Sequence, residues 1–148
     1  GWRVKDGLVS LNLLRSPMYP AVDADKGTHT IKYSIHPHAG EYYEGDTIKL
    51  AYSLNNPLIV CDKTVKLEPY AKADKENVVV ETIKRAESGE GTVIRLYESM
   101  GQEAEAGLAL SESYEKAYET DMLENIIGEI SLGNLRFEPF EIKTILVK

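Results

Sequence analysis

The chain has 148 residues, of which 43% are apolar and 28% charged, a composition typical of one compact domain or two small ones with a buried core. Its formal net charge of −7 argues against nucleic acid as a partner, because phosphate binding depends on lysine and arginine. No apolar run approaches the roughly 20 residues that a membrane span requires, so no membrane partner is expected.

The first ten residues, GWRVKDGLVS, lack an initiating methionine and a signal-peptide pattern, and we expect a piece of a longer chain. The single cysteine, Cys61, cannot form an internal disulfide, which fits a reducing compartment and predicts a cytoplasmic location. Because Cys61 follows the apolar stretch PLIV, we interpret it as a structural or incidental thiol and not as a nucleophile.

Alternating apolar and polar residues predict that strands dominate the chain. Residues 78–85 and 91–99 are joined by a polar, glycine-bearing connection of the kind that closes an antiparallel hairpin. The same alternation predicts further strands within residues 10–14, 28–36, 102–110 and 139–148. We therefore expect an all-β protein.

Residues 111–126, SESYEKAYETDMLENI, fit two patterns. Tyr114, Tyr118, Met122 and Ile126 recur every four residues, which is typical of one face of a helix. The same segment also places tyrosine, lysine and threonine side chains along one face of a strand, where these residue types are tolerated. Periodicity favours the helix, and the residues alone leave both structures open.

Few residues suggest chemistry. His36 and His38 lie two apart, so in an extended segment both imidazoles could face one metal ion, but a zinc site needs further ligands and no matching motif accompanies them. We therefore favour turn packing and hydrogen bonding for these histidines. Asp23 and Asp25 lie in a segment rich in proline, aspartate and glycine, which predicts a surface loop with solvated or capping carboxylates. By its own residues the chain shows no catalytic residue and no metal site.

Five segments resemble the C-terminal region of the glycoside hydrolase family 38 α-mannosidases. The longest is LVSLNLLRSPMYPAVDADKGTHTIKYSIHPHAGEY, residues 8–42. The others, in the same order as in the family, are AYSLNNPL, VVVETIKRAESGEGTVIRLYES, ETDMLE and PFEIKTILVK. Together they cover nearly the whole chain, and five motifs in register are specific.

The resemblance implies an antiparallel β-sandwich. Residues 1–60 would be the terminal strands of a large mutarotase-like supersandwich, and residues 61–148 a small C-terminal sandwich. It also implies a strand and a turn in residues 111–126, which decides that ambiguity against the helix.

The resemblance further implies a non-catalytic accessory domain. Family members hydrolyse α-mannosides with retention, using an aspartate nucleophile and a zinc ion in an N-terminal α/β domain, and none of those motifs maps onto this sequence. We therefore expect no cofactor in this chain and no activity from it alone. The zinc would belong to the catalytic domain of the same polypeptide, and that domain and its α-mannoside substrate are the expected partners.

Arg15 is the one candidate for a site residue. It follows a predicted strand, and Pro17 and Pro20 restrict the backbone of the loop behind it. In similar enzymes this strand end lies near the sugar-binding pocket, so Arg15 is a candidate for the rim of the cleft. A second interpretation, which we favour, is that Arg15 only locks an interface between domains.

Two other classes of function remain open. A stand-alone carbohydrate-binding module would need an aromatic platform, and the adjacent Tyr42 and Tyr43 would point to opposite faces of a strand. A protein-interaction sandwich would need a large apolar patch, which an accessory domain would also show.

Overall fold

The computed structural model describes residues 1–64 and 66–148. These residues form two compact units, Gly1–Pro37 and His38–Lys148. The strands are β1 Trp2–Lys5, β2 Leu8–Leu11, β3 Ala71–Ala73, β4 Val78–Arg85, β5 Thr92–Glu98, β6 Ala104–Ala106, β7 Leu108–Leu110, β8 Ala117–Thr120, β9 Ile126–Glu129, β10 Leu135–Phe137 and β11 Ile142–Val147, and the helix is α1 Thr47–Asn55. The predicted division near residue 60 stays a prediction.

The first unit is built around an antiparallel hairpin of β1 and β2. Asp6 and Gly7 connect the strands, with φ angles of 52° and 75°. A two-residue turn with positive φ at both positions matches the right-handed twist of the strands, and Asp-Gly is a preferred sequence for it. Hairpin side chains remain largely in solvent, as shown by Val4 and Leu8, which are 73% and 68% exposed.

The strand predicted at residues 28–36 is not formed, and the one predicted at 10–14 ends at Leu11. In this unit β1 and β2 pair only with each other, so the alternating pattern of residues 28–36 meets no strand to pair with. Tyr33 instead packs edge-on against Trp2, with the ring centroids 6.5 Å apart. Apolar alternation identified residues suited to a sheet, but a strand also requires a hydrogen-bonding neighbour.

The second unit contains a five-stranded antiparallel sheet in the order β4-β5-β11-β8-β9. The predicted hairpin is confirmed as β4 and β5, and the predicted C-terminal strand is confirmed as β11 at the centre. Two further pairs, β10 with β6 and β3 with β7, form separate two-stranded ladders. All pairings are antiparallel, as the expected β-sandwich requires.

The core lies between this sheet and the two shorter ladders. Side chains from one face of the five-stranded sheet join side chains from β3, β6, β7 and β10 in one apolar cluster. Phe137, Ile94, Leu96 and Ile145 are fully buried within it. Facing apolar layers drawn from different sheets define a sandwich, so the predicted all-β fold is confirmed.

The opposite face of the sheet carries a smaller cluster of Ala86, Val93 and Leu146, with Tyr118 packed against it. The turn between β8 and β9 approaches the same region, because Glu124 lies 2.8 Å from the Lys84 ammonium group and also accepts the amide of residue 87. The pKa of Glu124 is lowered, chiefly by its hydrogen bond with Lys84.

Residues 111–126 contain β8 and the start of β9, so the strand interpretation of this segment is confirmed. Asp121 holds the turn between them, because its carboxylate accepts the backbone amides of Leu123 and Asn125, each at 2.9 Å. The segment instead folds back on itself as an antiparallel pair, with a register shift between Glu119 and Thr120. Tertiary pairing therefore overrode local periodicity.

Helix α1 is the one helix among the described residues, and no pattern in the sequence predicted it. It ends at an Asn-Asn-Pro sequence, where the Asn56 amide donates to the Tyr52 carbonyl at 2.7 Å and Pro57 follows. Proline cannot continue the hydrogen-bonding pattern of a helix. No helix in the described part of the chain has the length and apolarity needed to cross a membrane.

Two leucines provide a matched test of this core. Leu132 is 2% exposed within the core cluster, whereas Leu123 is 82% exposed in the β8–β9 turn. Replacing Leu132 with Ala should lower the free energy of unfolding by about 2–5 kcal/mol, because the buried site keeps a cavity. The Leu123→Ala change should cost less than about 0.5 kcal/mol. Equal losses in urea denaturation would contradict the assigned core.

Candidate functional site

Arg15 lies exposed in the loop that follows β2, after the strand has ended at Leu11. The loop is tied internally by Asp25, whose carboxylate accepts the Ser16 amide at 2.5 Å. The Asp25 carbonyl lies 3.0 Å from Nε2 of His29, so one residue joins both ends of the segment. Asp25 therefore acts as the capping carboxylate that its loop context predicted, and it fixes the backbone beside Arg15.

Where the structure describes them, the histidines belong to no group of three or more side chains that could hold a metal ion. His38 places Nδ1 3.1 Å from the Ala39 carbonyl, and its ring lies against Gly45, where an added Cβ would be 2.3 Å from the His38 Cγ. Across residues 1–64 and 66–148 there is no group of three or more histidine, cysteine or acidic side chains placed to hold a metal ion. The donor set of the described residues thus does not fit the zinc ion that the resemblance implies for the family.

Cys61 is exposed, and its thiol donates to the Lys63 carbonyl at 3.2 Å. The apolar stretch before it, Leu58 to Val60, is also exposed. An interpretation of Cys61 as an incidental thiol stays a prediction.

Glu98, at the end of β5, is a fully buried carboxylate that sequence analysis missed. Its Oε1 accepts the Asn77 side-chain amide at 2.9 Å and the Met100 amide at 2.8 Å. Its Oε2 accepts the backbone amides of Gly101 at 2.7 Å, Gln102 at 3.2 Å and Phe140 at 3.0 Å. One carboxylate therefore holds together the ends of three segments.

The pKa of Glu98 is lowered from its ordinary value of 4.5. Burial by itself raises the pKa, because it disfavours the charged form, and this is the largest single effect. The hydrogen bonds from Phe140, Met100, Asn77 and Gln102 stabilise the carboxylate and together outweigh burial. Glu98 is therefore ionised and structural at neutral pH, and every described partner is a donor.

The turn held by Glu98 forms part of a cavity of about 480 Å³ beside α1. Ser99 and Met100 line it from the turn, and Val79 lines it from β4. Tyr52, on α1, also lines it, and its hydroxyl lies 3.2 Å from the Tyr97 hydroxyl on β5. Burial raises the pKa of the Tyr97 phenol, and the hydrogen bond to Tyr52 raises it further, so the Tyr97 phenol stays protonated at neutral pH.

The rim of the cavity carries an ion cluster. Lys49 forms ion pairs with Asp46, at 3.0 Å, and with Glu76. Hydrogen bonding to Glu76, and then to Asp46, raises the pKa of the Lys49 ammonium group. Thr47 also lines the cavity, but its Oγ1 is buried away from solvent and has no hydrogen-bond partner among the described residues. The cavity therefore combines apolar walls with a charged rim.

This cavity and the Glu98 cluster were not predictable as a site. The sequence contains 24 acidic residues, so composition could not single out one carboxylate. The available signal was the stretch Glu-Ser-Met-Gly at residues 98–101, an acidic residue at a strand end followed by a glycine-containing turn. Residues of α1 line the cavity, and no pattern in the sequence predicted that helix.

Comparison with known families gives a direct match. Residues 77–145 match the family described as "Glycosyl hydrolases family 38 C-terminal beta sandwich domain". This range covers β4 to β10 and most of β11, so it coincides with the five-stranded sheet and much of its opposing layer.

Curated proteins similar to the chain are α-mannosidases. Alpha-mannosidase G of Dictyostelium discoideum is 32% identical over 97% of the chain, and Alpha-mannosidase 2C1 of Homo sapiens is 33% identical over 99% of it. An Alpha-mannosidase of Saccharomyces cerevisiae is 33% identical over 84% of the chain. The chain spans only 13% to 15% of the length of these relatives.

The Glu98 cluster yields a stability prediction. A Glu98→Gln change keeps the shape of the side chain but turns one oxygen into a donor that faces backbone amides, and it should cost about 2–4 kcal/mol of unfolding free energy. Glu105→Gln, at an exposed position on β6, is the matched control and should cost less than about 0.5 kcal/mol. Chemical denaturation at pH 7 measures both variants.

The contribution of Glu98 should depend on pH. Because its folded pKa lies below its ordinary value of 4.5, the carboxylate stabilises the fold above that pH and loses this effect as pH falls below it. The difference in stability between the wild-type chain and the Glu98→Gln variant should therefore shrink as the pH is lowered from 5. A difference that stays constant throughout acid titration would contradict an ionised Glu98.

Proposed function

Since the chain belongs to glycosyl hydrolase family 38, in which it corresponds to the C-terminal β-sandwich region, we propose that it is a non-catalytic accessory region of a zinc-dependent retaining α-mannosidase. It packs on the catalytic domain of the same polypeptide and contributes no catalytic group. Support comes from the 33% identity to Alpha-mannosidase 2C1 across 99% of the chain, which is 15% of that relative.

The observation that carries this proposal is the exposure of the β1–β2 hairpin. No residue of either strand is buried, although Trp2, Val4, Leu8 and Val9 are apolar. An isolated two-stranded hairpin is marginal in water, and sheets gain stability from further strands or a packed layer. An accessory role, in which the hairpin joins a larger sheet, explains why apolar strand residues lie in solvent here.

Arg15 belongs to this proposal as the candidate for the cleft rim. The hydrogen bond accepted by the Asp25 carboxylate and the prolines after Arg15 hold its loop, while the guanidinium group remains exposed. A fixed loop with an exposed cation suits either a contact with substrate or a lock between domains.

The remaining parts of the proposal follow from the family. Zinc is held by the catalytic domain and not by the residues described here, and the substrate of the whole enzyme is an α-mannoside. A cytoplasmic location is proposed because the single cysteine cannot form an internal disulfide.

Hydrolysis of an aryl α-mannoside tests the proposal directly. The 148-residue chain should show no turnover with zinc supplied, whereas an α-mannosidase polypeptide that includes this sequence and the catalytic domain should be active and chelator-sensitive. Activity of the short chain that a chelator abolishes would overturn the non-catalytic role.

Replacing Arg15 in the full α-mannosidase separates its two candidate roles. If Arg15 contacts substrate, Arg15→Ala should reduce kcat/KM by about tenfold or more, because a charge-assisted hydrogen bond is lost, with thermal stability preserved. If it locks an interface, the melting temperature should fall and kcat/KM should hold.

Arg85→Ala is the matched control, because Arg85 is an exposed arginine that bonds the Gly89 carbonyl within its own hairpin. It should change neither kcat/KM nor interface stability. No change in either quantity for Arg15→Ala would remove Arg15 from the proposal.

A further inference from the structure

The residues of helix α1 carry the apolar pattern of a strand. Every second side chain is apolar, at Ile48, Leu50, Tyr52 and Leu54, and the residues between them are polar or alanine. Successive helical residues are about 100° apart around the axis, so residues two apart lie on opposite sides of a helix. In a strand, residues two apart lie on the same face. The pattern therefore suits a strand with one apolar face.

The helical conformation covers only half of this pattern. Ile48 and Tyr52, four residues apart, line the cavity beside α1. Leu50 and Leu54, also four apart, are 44% and 38% exposed. No residue of α1 is buried, so the helix gains little from packing while two leucines remain in solvent.

The helix is also weakly held by its own residues. It has nine residues, and a helix shorter than about 12–15 residues is marginal without packing. Asp46, at the N-cap, makes no side-chain hydrogen bond to the helix. Ser53 and Asn55 donate from their side chains to the carbonyls of residues 49 and 51, at 3.0 and 2.8 Å. Such bonds to the preceding turn bend and destabilise helices.

The contacts that hold α1 against the second unit are few and polar. Lys49 pairs with Asp46 and Glu76, but all three side chains are exposed, and ion pairs in solvent contribute little. The Tyr52 hydroxyl lies 3.2 Å from the Tyr97 hydroxyl. Against these contacts stands the buried Oγ1 of Thr47, which has no hydrogen-bond partner among the described residues and so costs free energy.

From these observations we propose that residues 47–55 are an interaction segment, which forms a strand along an open sheet edge in the rest of the same polypeptide. As a strand, the segment places its four apolar side chains on one face and offers its backbone to the edge strand. Thr47 then falls in the polar row with Lys49 and Ser53. The helix is the conformation of the segment when that edge is absent.

The choice of partner rests on the accessory role proposed above and on two observations. Residues 47–55 lie outside the range 77–145 that matches the C-terminal β-sandwich family, and the chain spans only 13% to 15% of the length of its relatives. The β1–β2 hairpin likewise leaves its apolar strand residues in solvent. A sheet elsewhere in the polypeptide would cover both segments, whereas a second copy of this chain brings the same uncovered segments.

A distance across the segment tests the proposal. Spin-labelled amino acids are placed at Asp46 and Asn55, both exposed, in the 148-residue chain and in an α-mannosidase polypeptide that includes it. The backbone separation should be about 14 Å in the short chain, as in a helix, and about 30 Å in the full enzyme, as in a strand. Labels at Lys72 and Glu81, also nine residues apart, lie on β3 and β4 and should report the same distance in both proteins.

Two lysine substitutions test whether the apolar face drives the change. Leu50→Lys should leave the melting temperature of the short chain unchanged, because Leu50 is already largely in solvent there. In the full enzyme it should shift the ratio of long to short distances about tenfold or more toward the short one, because the strand buries this side chain. Ser53→Lys, in the polar row, is the matched control and should leave the ratio unchanged.

The proposal is overturned if the short distance persists in the full enzyme, if the long distance already dominates in the short chain, or if the two lysine variants have equal effects. A long distance that grows with the concentration of the short chain would assign the edge to a second copy instead. Each of these results leaves the accessory role standing, since that role is tested by turnover. Turnover by the short chain would overturn the accessory role and leave the measured distances as they are.

Discussion

The Glu98 carboxylate is the interaction on which the second unit depends most. It is fully buried, and it accepts hydrogen bonds from Asn77, from three successive amides of the turn after β5, and from the Phe140 amide ahead of β11. A buried charge is tolerated only when its oxygens are saturated with donors, and here each oxygen accepts at least two. The constraint therefore sets where β5 ends, how the chain turns, and where the central strand begins.

That constraint connects the sheet to the cavity. The ladders of β5 with β11 and of β11 with β8 place one row of side chains in the sandwich core and the other on the outer face. The Glu98 turn closes one side of the outer face and presents Met100, while α1 presents Tyr52 from the other side. The cavity thus lies on the same sheet that supplies the core.

The two units differ in how completely they bury their apolar side chains. The second unit buries a continuous apolar cluster around Phe137 and provides donors for the fully buried carboxylate of Glu98. The first unit orders its loop through Asp25 but leaves the apolar side chains of both strands in solvent. Local polar contacts can fix a loop, whereas a stable sheet needs a layer of apolar surface to cover it. This difference is the physical basis for assigning an accessory role to the chain.

The sequence by itself determined the all-β class, the β4–β5 hairpin, the C-terminal strand and, through family resemblance, the strand pair in residues 111–126. These features depend on local alternation, turn chemistry or shared motifs, all of which are visible in the amino-acid sequence. Only the tertiary structure decided that residues 28–36 form no strand, that α1 exists, and that the Glu98 carboxylate is buried among hydrogen-bond donors. Pairing, burial and hydrogen-bond satisfaction depend on residues far apart in sequence, and no local pattern records which segments will meet.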